Sequence, residues 1–112
     1  AWQIRPDRIG ILGFSAGGEL AALAAMNSDK GQADAVDAID RMSSRPDFQV
    51  LIYPGSSSRF TVTAGMPPAF IALGAKDRSD ISLGMAQLSL QYQAAKVPCE
   101  LHIYSNAGHG FG

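Results

Sequence analysis

Three side chains in this sequence have the types expected of a nucleophile and its acid–base partners: Ser15, Asp77 and His109. Serine is a poor nucleophile until a base removes its hydroxyl proton. Histidine titrates near neutral pH, so it can take that proton and return it to a leaving group. A carboxylate can fix the tautomer of the imidazole and stabilise the imidazolium. These residues therefore favour hydrolysis by a nucleophilic serine.

The serine lies in the segment Gly13-Phe14-Ser15-Ala16-Gly17. The apolar run at residues 8–12 precedes it, and residues 19–26, which are rich in strong helix formers, follow it. A G-x-S-x-G pattern between a strand and a helix is typical of a nucleophile elbow, in which the serine projects from a sharp turn. The sequence therefore predicts that Ser15 occupies such a turn.

The elbow makes further predictions for its neighbours. Gly13 and Gly17 are expected to keep side chains away from the point where the backbone crosses itself. Because the helix starts at the serine, the N–H of Ala16 is expected to donate to an oxyanion. The alternative for this turn is a phosphate-binding loop, but a dinucleotide loop requires glycine, rather than serine, two residues after Gly13.

The remaining apolar segments predict the elements that must hold these side chains. Strands are expected at residues 8–14, 48–53, 69–74 and 99–104, and helices at residues 16–27 and 83–96. Residues 1–4 read as the tail of another helix. Strands alternating with helices predict an α/β fold with right-handed crossovers, and nearly continuous apolar strands are typical of a parallel sheet with helices on both faces.

In such a sheet, functional residues gather beyond the carboxyl ends of the strands. Ser15 follows the first predicted strand, Asp77 the third and His109 the fourth. Asp80 competes with Asp77 as the acid, but Asp77 is nearer the strand end and is preferred, which leaves Asp80 to cap the next helix. His102 lies inside the last strand and is predicted to be structural or exposed.

Composition excludes several classes of function. The chain has 112 residues, 46% of them hydrophobic, and a formal net charge of −1, which suggests neither a nucleic-acid nor an anionic-membrane partner. No apolar run is long enough to span a bilayer. The single cysteine, Cys99, excludes an internal disulfide and is expected to pack as a small apolar side chain. The acidic residues within 28–46 predict a solvated loop or surface helix rather than a cation site.

Five segments together resemble one known family: residues 7–18, 45–54, 74–77, 100–104 and 108–112, the last reading Gly-His-Gly-Phe-Gly. They resemble the esterase and lipase branch of the α/β-hydrolase superfamily, and above all its acetylxylan esterase-like and dienelactone hydrolase-like members. The resemblance covers nearly the whole chain, and that superfamily has its triad in the chain order Ser, Asp, His.

The resemblance implies a role for each candidate residue. Ser15 would be the nucleophile, Asp77 the acid, His109 the base, and Ala16 the residue that supplies an oxyanion N–H. It also implies a serine hydrolase of carboxylic esters that removes short acyl groups, such as acetyl, from a carbohydrate or small-molecule ester. No metal or cofactor would be needed.

The chain also departs from the family pattern. It has no His-Gly-Gly-Gly loop, which supplies further oxyanion donors in that family, and it carries Lys76-Asp77 where an Asp-Asp pair is common. We therefore expect residues 1–112 to be the C-terminal part of a single α/β-hydrolase domain, without the first strands and last helix. A serine peptidase of the prolyl oligopeptidase type and a non-catalytic remnant of the fold are the alternatives. The sequence indicates neither oligomeric state nor compartment.

Overall fold

The computed structural model describes residues 3–112. Its strands and helices are, in chain order, β1 (Gly10–Phe14), α1 (Ala16–Met26), β2 (Phe48–Ile52), β3 (Ala69–Gly74), α2 (Ser79–Ala94) and β4 (Cys99–Tyr104). A short 3₁₀ helix at Ser57–Arg59 lies between β2 and β3. All four predicted strands and both helices between them are present, although α2 begins at Ser79 rather than at residue 83. Of the predicted helix tail, residues 1–2 lie outside the described part, and Gln3 and Ile4 are not helical.

The four strands form one parallel sheet in the order β1-β2-β3-β4. Gly13 lies beside Leu51, Leu51 beside Ile71, and Ile71 beside Leu101, so these residues share one face of the sheet. Because all strands run in the same direction, all four carboxyl ends meet at one edge. The predicted α/β class with a parallel sheet is confirmed.

Both helices pack on this same face. A Cβ added at Gly13 would lie 2.6 Å from the backbone nitrogen of Gly18 in α1. The side chain of Gln49, on the same face of β2, donates a 2.8 Å hydrogen bond to the hydroxyl of Tyr92 in α2. The sequence predicted helices on both faces, whereas in residues 3–112 they share one. Each new strand pairs with the same edge of the growing sheet. Because right-handed crossovers that advance in one direction all pass over the same face, both helices lie on that face.

The core therefore lies between the sheet and this single helical layer. Its large, fully buried side chains include Leu51, Ile71 and Leu73 of β2 and β3 and Ile81, Met85, Leu88 and Tyr92 of α2, and α1 adds the buried Ala22. The connection between β2 and β3 adds the buried Phe60 and Met66. The opposite face of the sheet leaves apolar side chains exposed, among them Leu12 at 59% and Phe14 at 48%.

Candidate active site

Ser15 forms the sharp turn between β1 and α1. Its φ of 51° and ψ of −120° are unusual for a residue with a side chain, and such strain is concentrated at functional sites. Its N–H donates to the carbonyl of Ile52 at the end of β2, with an N–O distance of 2.9 Å. This bond fixes the turn beside the neighbouring strand, so the serine projects above the carboxyl edge of the sheet.

The two glycines of the turn differ in what they do. At Gly13 an added Cβ would collide with the backbone carbonyl group of Gly17, as the crossing of strand and helix predicts. At Gly17 an added Cβ would meet nothing within 4 Å among the described residues. In this part of the chain, the expectation that Gly17 keeps a side chain away from the crossing is therefore wrong, because the close approach involves the carbonyl group of Gly17 and not the position of its side chain.

Asp77 follows β3 in a turn in which its N–H donates to the carbonyl of Gly74 at 3.2 Å. Its side chain is only 1% exposed. One carboxylate oxygen accepts a 2.8 Å hydrogen bond from the N–H of Arg78, and the other lies 2.8 Å from Nδ1 of His109. Both oxygens of this buried carboxylate are thus engaged, which offsets the cost of burying it.

His109 lies on the loop after β4, and the backbone holds that loop over the end of β3. The N–H of Lys76 donates to the carbonyl of Ala107 at 3.0 Å. The loop passes so close to β3 that a Cβ at Gly74 would lie 2.5 Å from the carbonyl carbon of Ala107 and 2.7 Å from the carbonyl oxygen of Gly108. Only glycine at the end of β3 allows the loop to take this path.

The structure therefore brings the three sequence-predicted residues into one hydrogen-bonded row. Nε2 of His109 lies 2.8 Å from Oγ of Ser15, and Nδ1 lies 2.8 Å from the buried carboxylate of Asp77. An ionised carboxylate can only accept, so the network assigns the proton to Nδ1 and leaves Nε2 free to accept the serine proton. The imidazole is 43% exposed, so a substrate can reach this end of the row.

The competing residues lie elsewhere. Asp80 accepts hydrogen bonds from the Arg78 guanidinium at 3.1 Å and from the Ser56 N–H at 3.2 Å. The Arg78 bond holds the pKa of Asp80 below its usual value. Asp80 was expected to cap the next helix, and this is wrong: the cap position is Arg78, and Asp80 lies within the first turn of α2. His102 stacks on Phe70 with ring centroids 4.9 Å apart.

Ala16 is the first residue of α1. The first N–H groups of a helix have no partner within it, and they carry the positive end of its dipole. Ala16 is exposed and directly follows Ser15, so its N–H lies at the start of α1 beside the serine. Glu19, in the same first turn, forms an ion pair with Arg59 from the β2–β3 connection.

Sequence reasoning missed the aromatic residues around the imidazole. The ring centroid of Tyr53 lies 4.8 Å from that of His109 and 4.9 Å from that of Phe111. Tyr53 directly follows β2 and has a φ of 37°, which is rare for an aromatic residue. Its place at the carboxyl end of a strand was the available signal, but Tyr53-Pro54-Gly55 reads mainly as a strand terminator.

Two kinds of feature are absent from residues 3–112. No group of three or more His, Cys, Asp or Glu side chains in this part of the chain is arranged to hold a metal ion. Neither of its helices has the length and hydropathy needed to cross a membrane.

The known proteins that resemble this chain in sequence are hydrolases. A sequence profile described as the dienelactone hydrolase family matches residues 2–112. A probable 2-oxo-3-(5-oxofuran-2-ylidene)propanoate lactonase from a Bradyrhizobium species is 32% identical over 108 residues, which cover 96% of this chain and 42% of that protein.

Solved structures agree. An acetyl ester-xyloside bifunctional hydrolase from Caldicellulosiruptor lactoaceticus superposes with a TM-score of 0.87 at 31% identity, over 96% of this chain and 49% of that one. An esterase from the planctomycete Thermogutta terrifontis, solved with propionate bound, has a TM-score of 0.75 at 25% identity, over 95% of this chain and 47% of that one. The chain thus spans a little under half the length of each of these relatives.

Proposed function

The chain belongs to the dienelactone hydrolase family, and we propose that it carries the catalytic residues of a serine hydrolase that cleaves carboxylic esters. The observation that supports this most directly is the row from Ser15 through His109 to Asp77, with 2.8 Å at each step. Hydrogen-bond contact from nucleophile to base, and from base to a buried carboxylate, is the geometry that nucleophilic catalysis requires.

The proposed reaction starts when Nε2 of His109 takes the hydroxyl proton of Ser15 as Oγ attacks the ester carbonyl carbon. The carbonyl oxygen becomes an oxyanion, which accepts a hydrogen bond from the N–H of Ala16. The carbon–oxygen bond to the alcohol then breaks, and His109 gives its proton to the departing alkoxide. Water attacks the acyl-serine by the same route, releasing the acid and restoring Ser15. Asp77 keeps a proton on Nδ1 throughout and stabilises the imidazolium that forms when Nε2 takes the serine proton.

For the substrate, we propose short acyl esters, acetyl above all, of a carbohydrate or small-molecule alcohol. Residues 55–66, between β2 and β3, form no cap and contain only the short 3₁₀ helix at Ser57–Arg59. Their large apolar residues, Phe60 and Met66, are buried in the core and cannot line an acyl channel. This connection therefore adds little to the binding of a longer acyl chain, where each buried methylene would contribute about 0.8 kcal/mol. The acetyl ester-xyloside hydrolase among the relatives supports the same choice.

A lactone is the second candidate substrate. It is a cyclic ester, so the same residues would open it, with the alcohol remaining attached to the acyl group. The Bradyrhizobium relative, described as a probable lactonase, is the observation that favours it.

The test uses the full-length protein and its Ser15→Ala variant. A fluorophosphonate should label Ser15, and Ser15→Ala should lower kcat by about 10³ to 10⁶-fold. Across p-nitrophenyl acetate, butyrate and octanoate, kcat/KM should be highest for acetate. A kcat/KM that rises steadily to octanoate would reveal an acyl channel and refute the short-acyl proposal.

Two further substrates separate the alternatives. Turnover of peptide p-nitroanilides above that of esters would indicate a peptidase. Failure of the fluorophosphonate to label a folded protein would indicate a non-catalytic remnant.

A further inference from the structure

His109 must reach across the sheet to meet Ser15. It follows β4, whereas Ser15 follows β1, and two strands lie between them in the sheet. With neighbouring strands about 4.8 Å apart, β1 and β4 are about 14 Å apart at the edge where the site lies. The loop carrying His109 therefore passes over the ends of β3 and β2 before Nε2 comes within 2.8 Å of Oγ.

Tyr53 occupies the end of β2, directly beneath this crossing. Its ring is buried, with the residue only 6% exposed, and lies against the imidazole of His109 at a centroid distance of 4.8 Å. On its other sides it packs against Phe111 at 4.9 Å, with the rings close to perpendicular, and against Phe14 at 6.0 Å. Phe111 lies two residues beyond His109, so one ring contacts both His109 and the loop that carries it.

The backbone conformation of Tyr53, which places the ring there, is unfavourable for two local reasons. A positive φ, here 37°, is uncommon for any residue with a bulky side chain. The following residue is Pro54, and a proline drives the residue before it toward extended conformations with negative φ. Strain of this kind costs roughly 1–3 kcal/mol and persists only where the surroundings hold it in place, which happens most often at functional sites. The N–H of Tyr53 is held by the carbonyl of Ala72 at 2.7 Å.

We propose that Tyr53 is a positioning residue for His109: its ring, presented by the strained end of β2, supports the imidazole where Nε2 meets Ser15 Oγ. This rests on the proposed function, because it assigns Tyr53 a part in the same reaction. Hydrogen bonds to Asp77 and Ser15 hold the two ring nitrogens of His109, but they leave the imidazole free to tilt about the line that joins those nitrogens. The Tyr53 ring limits that tilt from the side.

The test compares three variants in the full-length protein. Tyr53→Phe keeps the ring, Tyr53→Leu keeps only apolar bulk, and Tyr53→Asn tolerates the left-handed backbone without a ring. Because a misplacement of 1 Å can cost about 10²-fold in rate, we expect kcat to fall about 10 to 100-fold in Tyr53→Leu and Tyr53→Asn, with KM changed less than about threefold. Tyr53→Phe should stay within about threefold of the parent protein.

A matched control separates positioning from packing. Phe60 is another buried aromatic of the same core cluster, 3% exposed, and lies on the β2–β3 connection. Phe60→Leu should lower the melting temperature about as much as Tyr53→Leu, yet leave kcat per titrated active site unchanged. If Tyr53→Leu also leaves kcat per titrated site unchanged, Tyr53 is only a packing residue and the proposal is overturned.

A second readout does not depend on turnover. The Nδ1 proton of His109, shared with Asp77, should give a resolved downfield NMR signal in the parent protein and in Tyr53→Phe. In Tyr53→Leu it should broaden or exchange faster with water, and an unchanged signal would overturn the proposal. If Ser15→Ala leaves ester hydrolysis intact, the proposed function is refuted. The NMR signal of the His109 Nδ1 proton still tests whether Tyr53 positions the imidazole.

Discussion

Gly74→Ala is expected to damage the reaction without altering any group that takes part in it. Gly74 is the last residue of β3, where the loop carrying His109 passes. The added Cβ would lie 2.5 Å from the carbonyl carbon of Ala107 and closer still to its oxygen, whereas ordinary contacts begin at 3.4 Å. Both groups are backbone, so no side chain can rotate away and the loop itself must move.

The size of that movement sets the expected effect. Restoring ordinary contact requires a shift of roughly 1 Å in the loop, and a shift of that size at reacting groups can cost about 10²-fold in rate. We therefore expect kcat for p-nitrophenyl acetate to fall about 10²-fold, with KM changed less than about threefold. Because overpacking also costs about 1–3 kcal/mol of stability, kcat must be normalised to titrated active sites.

The matched control is Gly108→Ala, which makes the same chemical change one residue from His109. A Cβ at Gly108 would approach only the carbonyl oxygen of Lys76, at 4.0 Å, so the loop need not move. Gly108→Ala should stay within about threefold of the parent kcat. If Gly74→Ala also keeps the parent kcat, or if the two variants lose equal activity, the reasoning from the close approach is refuted.

Two further predictions concern acidic groups. Asp77→Asn should lower kcat about 10³ to 10⁴-fold and Asp80→Asn less than threefold, because only Asp77 contacts the imidazole, and a larger loss in Asp80→Asn would reverse the assignment of the acid. Burial raises the pKa of the Tyr92 phenol, so the folded state holds that proton more tightly. The contribution of Tyr92 to the free energy of unfolding is then fully present below the pKa of an unfolded tyrosine, about 10, and is lost as the pH rises above it. The free energy of unfolding, measured by urea titration, should therefore fall less between pH 8 and 11 in Tyr92→Phe than in the parent protein. An equal fall in the two proteins would contradict this prediction.

The strands, the helices and the three residues of the row could be predicted from the sequence because each has a local signature. Continuous apolar runs ended by Gly or Pro marked β2 and β3, and glycines around a serine marked the turn at Ser15. The start of α2 was placed too late, because its first two residues, Ser79 and Asp80, are polar. The buried stripe of this helix nevertheless begins at Ile81 and continues through Met85.

The face of the sheet that each helix covers could not be predicted from local sequence patterns. Residues 50–52 and 69–73 read as apolar on both faces, which is typical of a sheet covered on both sides. Which face each helix covers depends on strand order, and strand order is a property of pairing between distant segments. With the order β1-β2-β3-β4, every right-handed crossover returns over the same face.

The path of the His109 loop is the least local feature of the site, since it joins groups 94 residues apart in the chain. Two residues at strand ends shape that path in opposite ways. Gly74 ends β3 with no side chain, so the loop can descend onto the strand. Tyr53 follows β2 with a large ring, which the imidazole of His109 contacts beside Ser15.

Neither Gly74 nor Tyr53 carries a reacting group, and in the sequence alone each residue reads as the end of a strand. Their functional meaning follows only from the sheet order, which places β3 and β2 in succession between β4 and β1. The chemistry proposed for Ser15 therefore depends on the absence of a side chain at the end of β3 and on the presence of a ring at the end of β2.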